Sequence, residues 1–467
     1  MKWMNLLLCK KVFPTIFILP KHTIHKILSL PSLFFKTLKM RRIFLVLMIA
    51  GLSGILFSCH RYANTGSAAE ETESTEEATD VVEVNEPHPI ALTEQQREFV
   101  TDNNAFTLNF LKTVNATDKT GKSFIYSPLS ITYVLSMVND AAEGTTQKEL
   151  EQILGFRKGG ITEVNNFCKT LIDSLPMVDT KVQLHIANAI FVSKNSQLKP
   201  QFQKDMQDFY QAKAEALDFA SLQSLKRING WCNGKTKGMI PKILEELDPS
   251  AVSYLLNAIY FKANWTNEFK EARTETDTFN TAKGPKMLPL MQQESRFSYM
   301  KNSTFTAVDL PYSNRQWSMT VMLPEKGKSV NDVINYLAKN GMGFLDETYS
   351  RKVDLKLPRF ETESSTEDLI GTLKTMGIKR VFDSFFAEVP NLCEDRVYIS
   401  MMLQKARIKV NESGSEAAAV TVAQVTKCTS VSRPEEPVKF YANHPFVYVI
   451  REKSTGVILF VGKFTGE

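Results

Sequence analysis

The sequence predicts an α+β domain, and three observations carry that prediction. From Thr93 onward, stretches with helical spacing and capping signals alternate with strand-like runs, and five strand-like runs close the chain. Ser253–Phe261, SYLLNAIYF, is a near-continuous apolar run, the pattern of a strand buried on both faces. No repeat and no Gly/Pro/Ser-rich internal linker divides Leu92–Glu467, so it reads as one domain.

In chain order, the leader comes first. Met40-Arg41-Arg42 precedes the apolar run Ile43–Phe57, which is 15 residues long and short of the roughly 20 a spanning helix needs. Basic n-region, apolar h-region and a small residue before Cys59 read as a secretory signal. Leu56-Phe57-Ser58-Cys59 resembles a bacterial lipoprotein cleavage box, although Phe57 is bulkier than that pattern usually has. The expectation is a signal peptide over 40–58, lipidation at Cys59, and an over-extended N-terminus over 1–39 with Met40 as initiator. The expected address is a lipid anchor in the bacterial outer membrane or cell envelope, periplasmic or outward-facing.

Residues 59–91 form the expected tether. Between Arg61 and Arg97 there is no Lys or Arg, while Glu70, Glu71, Glu73, Glu76, Glu77, Asp80, Glu83 and Glu86 repel and extend the chain. Of the 56 Lys and Arg, nine precede Cys59 and no acidic residue does. The remainder carries 47 basic against 51 acidic residues, a net of −4 despite the formal +5 of the whole sequence. Such a near-neutral chain offers no electrostatic case for nucleic-acid binding.

Within the domain, Thr93–Val114 has apolar residues at helical spacing. Ser127 with Pro128 is an N-cap and first-turn proline for a helix through Val138. Thr146–Glu149 reads as a capping box for a short helix stopped by Gly155. Val182–Val192 is strand-like and Pro200–Ala216 helical. Phe305–Leu323 reads as two antiparallel strands about Ser313-Asn314, and Val353–Phe360 alternates cleanly. Ser364-Ser365-Thr366-Glu367 is a second capping box, for a helix ending at Gly377.

The most informative stretch is Asn411–Ser430, NESGSEAAAVTVAQVTKCTS. Every second residue from Ser415 is small or β-branched (Ser415, Ala417, Ala419, Thr421, Ala423, Val425), so one strand face would be uniformly small. That suits a strand that must enter a crowded interior. RIKVNESGSEAAAVTV resembles the hinge of the reactive-centre loop of serpins. PVKFYANHPFVYVIREKSTGVILFVGKF resembles the strands after that loop, and FIYSPLSITYVLSMVNDAAEGTTQKELEQILGF resembles the serpin segment from helix B to helix D. The stretch INGWCNGKTKGMIPKILEEL is similar to the family's approach to a central strand.

The resemblance implies a serpin-like fold, with three β-sheets, about eight or nine helices and an exposed loop over about 412–436. It implies an irreversible suicide-substrate inhibitor of endopeptidases, and not an enzyme. A serine or cysteine protease attacks the loop, and the cleaved loop enters the main sheet as a new strand, stalling the acyl-enzyme. Glu412, Gly414, Ser415, Glu416, Ala417, Ala418 and Ala419 match the hinge. Ser127, Ser130 and Asn257 match the cluster under the sheet opening, Trp265 the tryptophan at its top, and Gln404 stands where the family often has histidine. The family's spacing puts the reactive bond at Cys428–Thr429, with Lys427–Cys428 as the alternative. A runner-up reading is a non-inhibitory binding protein on the same fold.

Other chemistries lack a signature. There is no GxSxG, HExxH, P-loop or GxGxxG in context. His22 and His25 belong to the leader and His60 and His88 to the tether, leaving His185 as a core histidine and His444 within Asn443-His444-Pro445-Phe446. A Cys168–His444 protease pairing has no local motif. Cys168, Cys232 and Cys393 read as buried free thiols, and Cys428 as an oxidisable one. No cofactor, metal or nucleic acid is expected, and the chain is expected to be monomeric.

Overall fold

The computed structural model describes residues 85–366, 369–415 and 435–467, without side chains at 364–366. Thr93 opens α1 (Glu94–Thr117) through a reciprocal box: Gln96 N donates to Thr93 Oγ1 (3.2 Å) and Thr93 N to Gln96 Oε1 (3.1 Å). After β1 (Phe124–Tyr126), Ser127 caps α2 (Pro128–Ala141) as its position predicts. Helix α3 (Gly144–Leu154) stops at Gly155, whose φ of +86° is left-handed. Its start differs from the expected Thr146–Glu149 box. The remote carboxylate of Glu388 accepts from Thr145 N (2.9 Å) and Thr146 N (3.1 Å), so the helix begins earlier. Glu149 instead accepts from Lys379 N and Arg380 N at 2.6 and 2.8 Å. Tertiary partners outbid the local motif on both sides.

Next come α4 (Gly160–Ser174) and β2 (Gln183–Ser193). The helix expected over Pro200–Ala216 is cut short. Helix α5 (Pro200–Tyr210) ends where Gln211 turns left-handed, and Lys213–Leu217 becomes β3, parallel to β2. Backbone pairing at the sheet edge overrides the helix preference of Lys, Ala, Glu and Leu there. The chain continues as α6 (Leu222–Lys235), β4 (Ser253–Asn264), β5 (Glu275–Thr281), β6 (Gly284–Lys301), β7 (Phe305–Tyr312), β8 (Trp317–Pro324), α7 (Val330–Asn340), β9 (Tyr349–Pro358) and β10 (Phe360–Thr366). The second expected capping box is also absent: Ser364, Ser365 and Thr366 continue β10, in register with Ala406, Lys405 and Gln404. Glu367 lies outside the described residues. Helix α8 (Leu369–Met376) precedes five closing strands: β11 (Met401–Val410), β12 (Gly414–Ser415), β13 (Val438–Tyr441), β14 (Phe446–Glu452) and β15 (Ile458–Phe464).

Six strands form one sheet in the order β10-β11-β12-β4-β2-β3. The others run β1-β15-β14-β8-β7-β6-β9-β13, with β5 also on β6. The expected three sheets appear as three strand groups joined into two hydrogen-bonded networks. Long β6 pairs with β7 through Ser298–Lys301, and with β9 and β5 along the rest of its length. Eight α-helices are present among the described residues, none long and apolar enough to cross a membrane.

The six-stranded sheet is buried on both faces, as SYLLNAIYF requires. Alternation along β4 sends Leu255, Ile259 and Phe261 into the main core. Tyr254, Leu256 and Ala258 enter a second core with Ile228 and Cys232 of α6, Phe191 and Leu403.

Candidate functional site

Parallel strands β11 and β4 pair directly from Met401↔Tyr254 to Ala406↔Ile259. Past that point β12 stands between them. Ser415 pairs with Val410 of β11 on one side and Ala263 of β4 on the other, and Gly414 pairs with Asn264, antiparallel in each case. A two-residue strand thus occupies the mouth of a cleft between two neighbours that close below it. Asn411 makes the reversal from β11 into β12: its Oδ1 accepts from Ser413 N and Gly414 N, each at 3.1 Å.

Gly414 has no room for a side chain. A Cβ there would overlap the Ala263 carbonyl oxygen and lie 2.6 Å from Asn264 Cα, and its φ of +155° disfavours other residues. Ser415 is fully buried, its hydroxyl 2.7 Å from Tyr312 Oη. Tyr312 stacks on Trp265, ring centroids 4.3 Å apart and planes at 12°. Trp265 holds the turn by two bonds: its N donates to Ser413 O (2.8 Å) and its Nε1 to Asn411 O (3.0 Å).

Glu412 fastens the same turn. Its carboxylate accepts from Arg359 Nε (3.1 Å) and Nη2 (2.5 Å) and from Thr274 Oγ1 (2.6 Å), while its carbonyl accepts from Phe269 N (2.9 Å). Burial pushes its pKa up, but the bonds from Arg359 and Thr274 outweigh it and leave the carboxyl below its ordinary range.

Further down the closed part of the sheet, a polar row crosses three strands. Asn188 of β2 is in register with Asn257 of β4, and Asn257 with Gln404 of β11. Asn257 Nδ2 donates to Asn188 Oδ1 (2.9 Å) and Gln404 Nε2 to Asn257 Oδ1 (3.1 Å). Gln404 also clasps the backbone at the start of α2, accepting from Ser127 N (2.9 Å) and donating to Ser127 O (2.8 Å). Ser127 Oγ meets Ser130 Oγ at 3.2 Å. All five side chains are buried.

The structure therefore brings Ser127, Ser130, Asn257 and Gln404 together, and separately Glu412, Gly414, Ser415 and Trp265. Glu416, Ala417, Ala418, Ala419, Lys427, Cys428, Thr429 and Cys59 lie outside the described residues. Sequence reading missed Asn188, Tyr312, Arg359 and Thr274. Asn188 alone left a trace, a lone amide between two alanines of an apolar strand; the others are ordinary strand or surface residues until folding brings them to the turn.

The remaining candidates are occupied elsewhere. Burial pushes the thiols of Cys168 and Cys232 up to about 12 and that of Cys393 to about 11, far from thiolate reactivity. All three are free, as expected. Cys168 is fully buried, whereas His444 faces Pro324 O (3.1 Å) and Asn443 Oδ1 (3.2 Å). His185, expected in the core, is half-buried and stacks on Tyr260. Among the described residues no group of His, Cys, Asp and Glu is arranged to hold a metal.

The family model described as Serpin (serine protease inhibitor) matches residues 101–466. Serpin B6 of Macaca fascicularis is 32% identical over 374 residues, covering 78% of this chain and 98% of that protein. An uncharacterised serpin-like protein of Thermococcus kodakarensis is 30% identical over 372 residues, covering 79% and 86%. Among solved structures, the thermophilic serpin tengpin in its native state gives a TM-score of 0.72 at 27% identity, covering 81% of this chain and 97% of that one. Human thyroxine-binding globulin gives 0.71 at 26% identity, covering 79% and 98%.

Proposed function

The chain belongs to the serpin family, and from that premise we propose that it is an irreversible suicide-substrate inhibitor of extracellular or periplasmic endopeptidases. The observation that carries this reading is β12, whose two residues already stand between β11 and β4 with the antiparallel polarity a longer inserted strand needs. Continuing that strand parts six register pairs between β11 and β4 and replaces one ladder by two. At every second position from Ser415 the sequence is small or β-branched, so the side chains on that face fit between packed layers. A charged residue at 415 would oppose entry; serine does not.

In this reading the nucleophile of a serine or cysteine protease forms an acyl bond with the carbonyl carbon of Cys428 as the Cys428–Thr429 peptide bond breaks and Thr429 leaves as a new amino terminus (or, one residue earlier, with Lys427 as Cys428 leaves). The freed loop carries the protease along as the sheet takes up the strand. Gly414 and Ser415 serve as the pivot. The row of Asn188, Asn257 and Gln404 on Ser127 and Ser130 is the catch that keeps the lower sheet closed until then. Lipidation at Cys59 would hold a monomeric domain at a bacterial envelope, and the chemistry calls for no cofactor or nucleic acid.

A second reading has one observation in its favour, the likeness to thyroxine-binding globulin. It makes the chain a non-inhibitory binding protein at the cell surface. Incubation with elastase-, trypsin- and papain-type proteases separates the two. An inhibitor yields a covalent band that survives SDS with at least one serine protease, whereas a binding protein is cut or left alone and every protease stays active.

A further inference from the structure

Residues Asn85–Ile90, ahead of the first helix, are fastened across the chain reversals beside the loop mouth. Asn85 Nδ2 donates to Asp179 Oδ1 (2.7 Å) and Ser313 Oγ (3.0 Å), and its Oδ1 accepts from Thr180 Oγ1 (3.3 Å). His88 N donates to Val178 O (3.3 Å), and Ile90 N to Ser454 Oγ in the β14–β15 turn (3.0 Å).

Asp179 is the hub. It is 1% exposed, and it also accepts from Ser313 Oγ (3.2 Å), Asn314 N (3.0 Å) and Lys181 N (3.0 Å). An aspartate this buried persists only with its oxygens satisfied, and its donors come from three separate segments.

The turn it holds is one that needs holding. Between β7 and β8, Ser313 and Arg315 both adopt positive φ, +38° and +74°, a conformation that non-glycine residues keep only under support from their surroundings. Ser313 N donates to Asn264 O (2.9 Å), and its carbonyl accepts from Thr266 Oγ1 (3.1 Å). Asn264 is the register partner of Gly414, and Tyr312, one residue before the turn, meets Ser415.

We propose that Asn85–Ile90 is a brace and Asp179 a positioning residue, which together hold the β7–β8 turn where Tyr312 and Asn264 clasp β12. Loss of these bonds, by a cut between Asn85 and Ile90 or by a pull that strips the segment away, then loosens the mouth of the sheet. The consequence for inhibition rests on the insertion reading; the coupling itself does not.

Hydrogen–deuterium exchange on the full chain tests the coupling. Asn85→Ala is expected to speed exchange at the Trp265 and Phe269 amides, which bond the loop turn, at least threefold while leaving Phe297 in β6 unchanged. Tyr312→Phe, which keeps the ring and removes the hydroxyl, is expected to do the same. The double variant should exchange no faster than the faster single one, the mark of a shared route. No rise at Trp265, an equal rise at Phe297, or full additivity overturns the proposal. Melting the loop-nicked parent in parallel judges the insertion reading by itself: without a gain in Tm that reading falls, and the exchange data still decide on the brace.

Discussion

Gln404 does several jobs at once. Its amide oxygen and nitrogen hold both backbone groups of Ser127 and the Asn257 side chain, all buried. Gln404→Ala strands those partners, and a buried unsatisfied group costs about 1–3 kcal/mol, so the intact protein is expected to lose several degrees of Tm in a thermal scan. Glu412 gives a prediction in pH. Its folded pKa is depressed, so the stability it contributes is present above the unfolded value of about 4.3 and lost as pH falls through the folded value. Arg359 is 46% exposed, and solvent screening keeps that contribution modest. The Tm difference between parent and Glu412→Gln is expected to be clear at pH 7 and to vanish in acid.

At the scale of elements, β12 decides what the sheet does. It is held on two edges by β11 and β4 and by the side chains of Tyr312 and Asn411, and it is only two residues long. Ser415→Arg puts a charge where exposure is zero, at a penalty of several kcal/mol. The variant is expected to be cut by proteases at an undiminished rate and to form no SDS-stable complex; retained trapping would count against insertion. On the insertion reading, the six-stranded sheet accepts a strand because its two cores lie on opposite faces. The β11–β4 ladder parts in the plane between them, leaving each side chain near its own layer.

For the molecule as a whole, the proposed function requires a folded form that is not the most stable one within reach. Roughly ten new backbone hydrogen bonds at about 1 kcal/mol each, with four or five buried small side chains at about 1 kcal/mol each, give on the order of 10–15 kcal/mol. That matches the whole stability of a typical domain, about 5–15 kcal/mol, so the scale is sufficient for the proposed distortion of a dragged protease. Limited cleavage within the loop is accordingly expected to raise Tm sharply, by tens of degrees in differential scanning calorimetry. An unchanged Tm would remove the energy source.

What the sequence determined by itself was local or periodic. Ser127 capping α2, Gly155 ending α3 and the doubly buried β4 follow from residues within a few positions of one another. Tertiary structure decided the rest, because the deciding partner is remote. Glu388 replaces the expected cap of α3 from 243 positions away, and β2 turns the helix-forming KAEAL into an edge strand. Tyr312 meets Ser415 across 103 positions, and Asn188, Asn257 and Gln404 form a row only once three strands come into register. A hydrogen bond between distant residues leaves no periodicity to read, since either residue by itself is consistent with many surroundings.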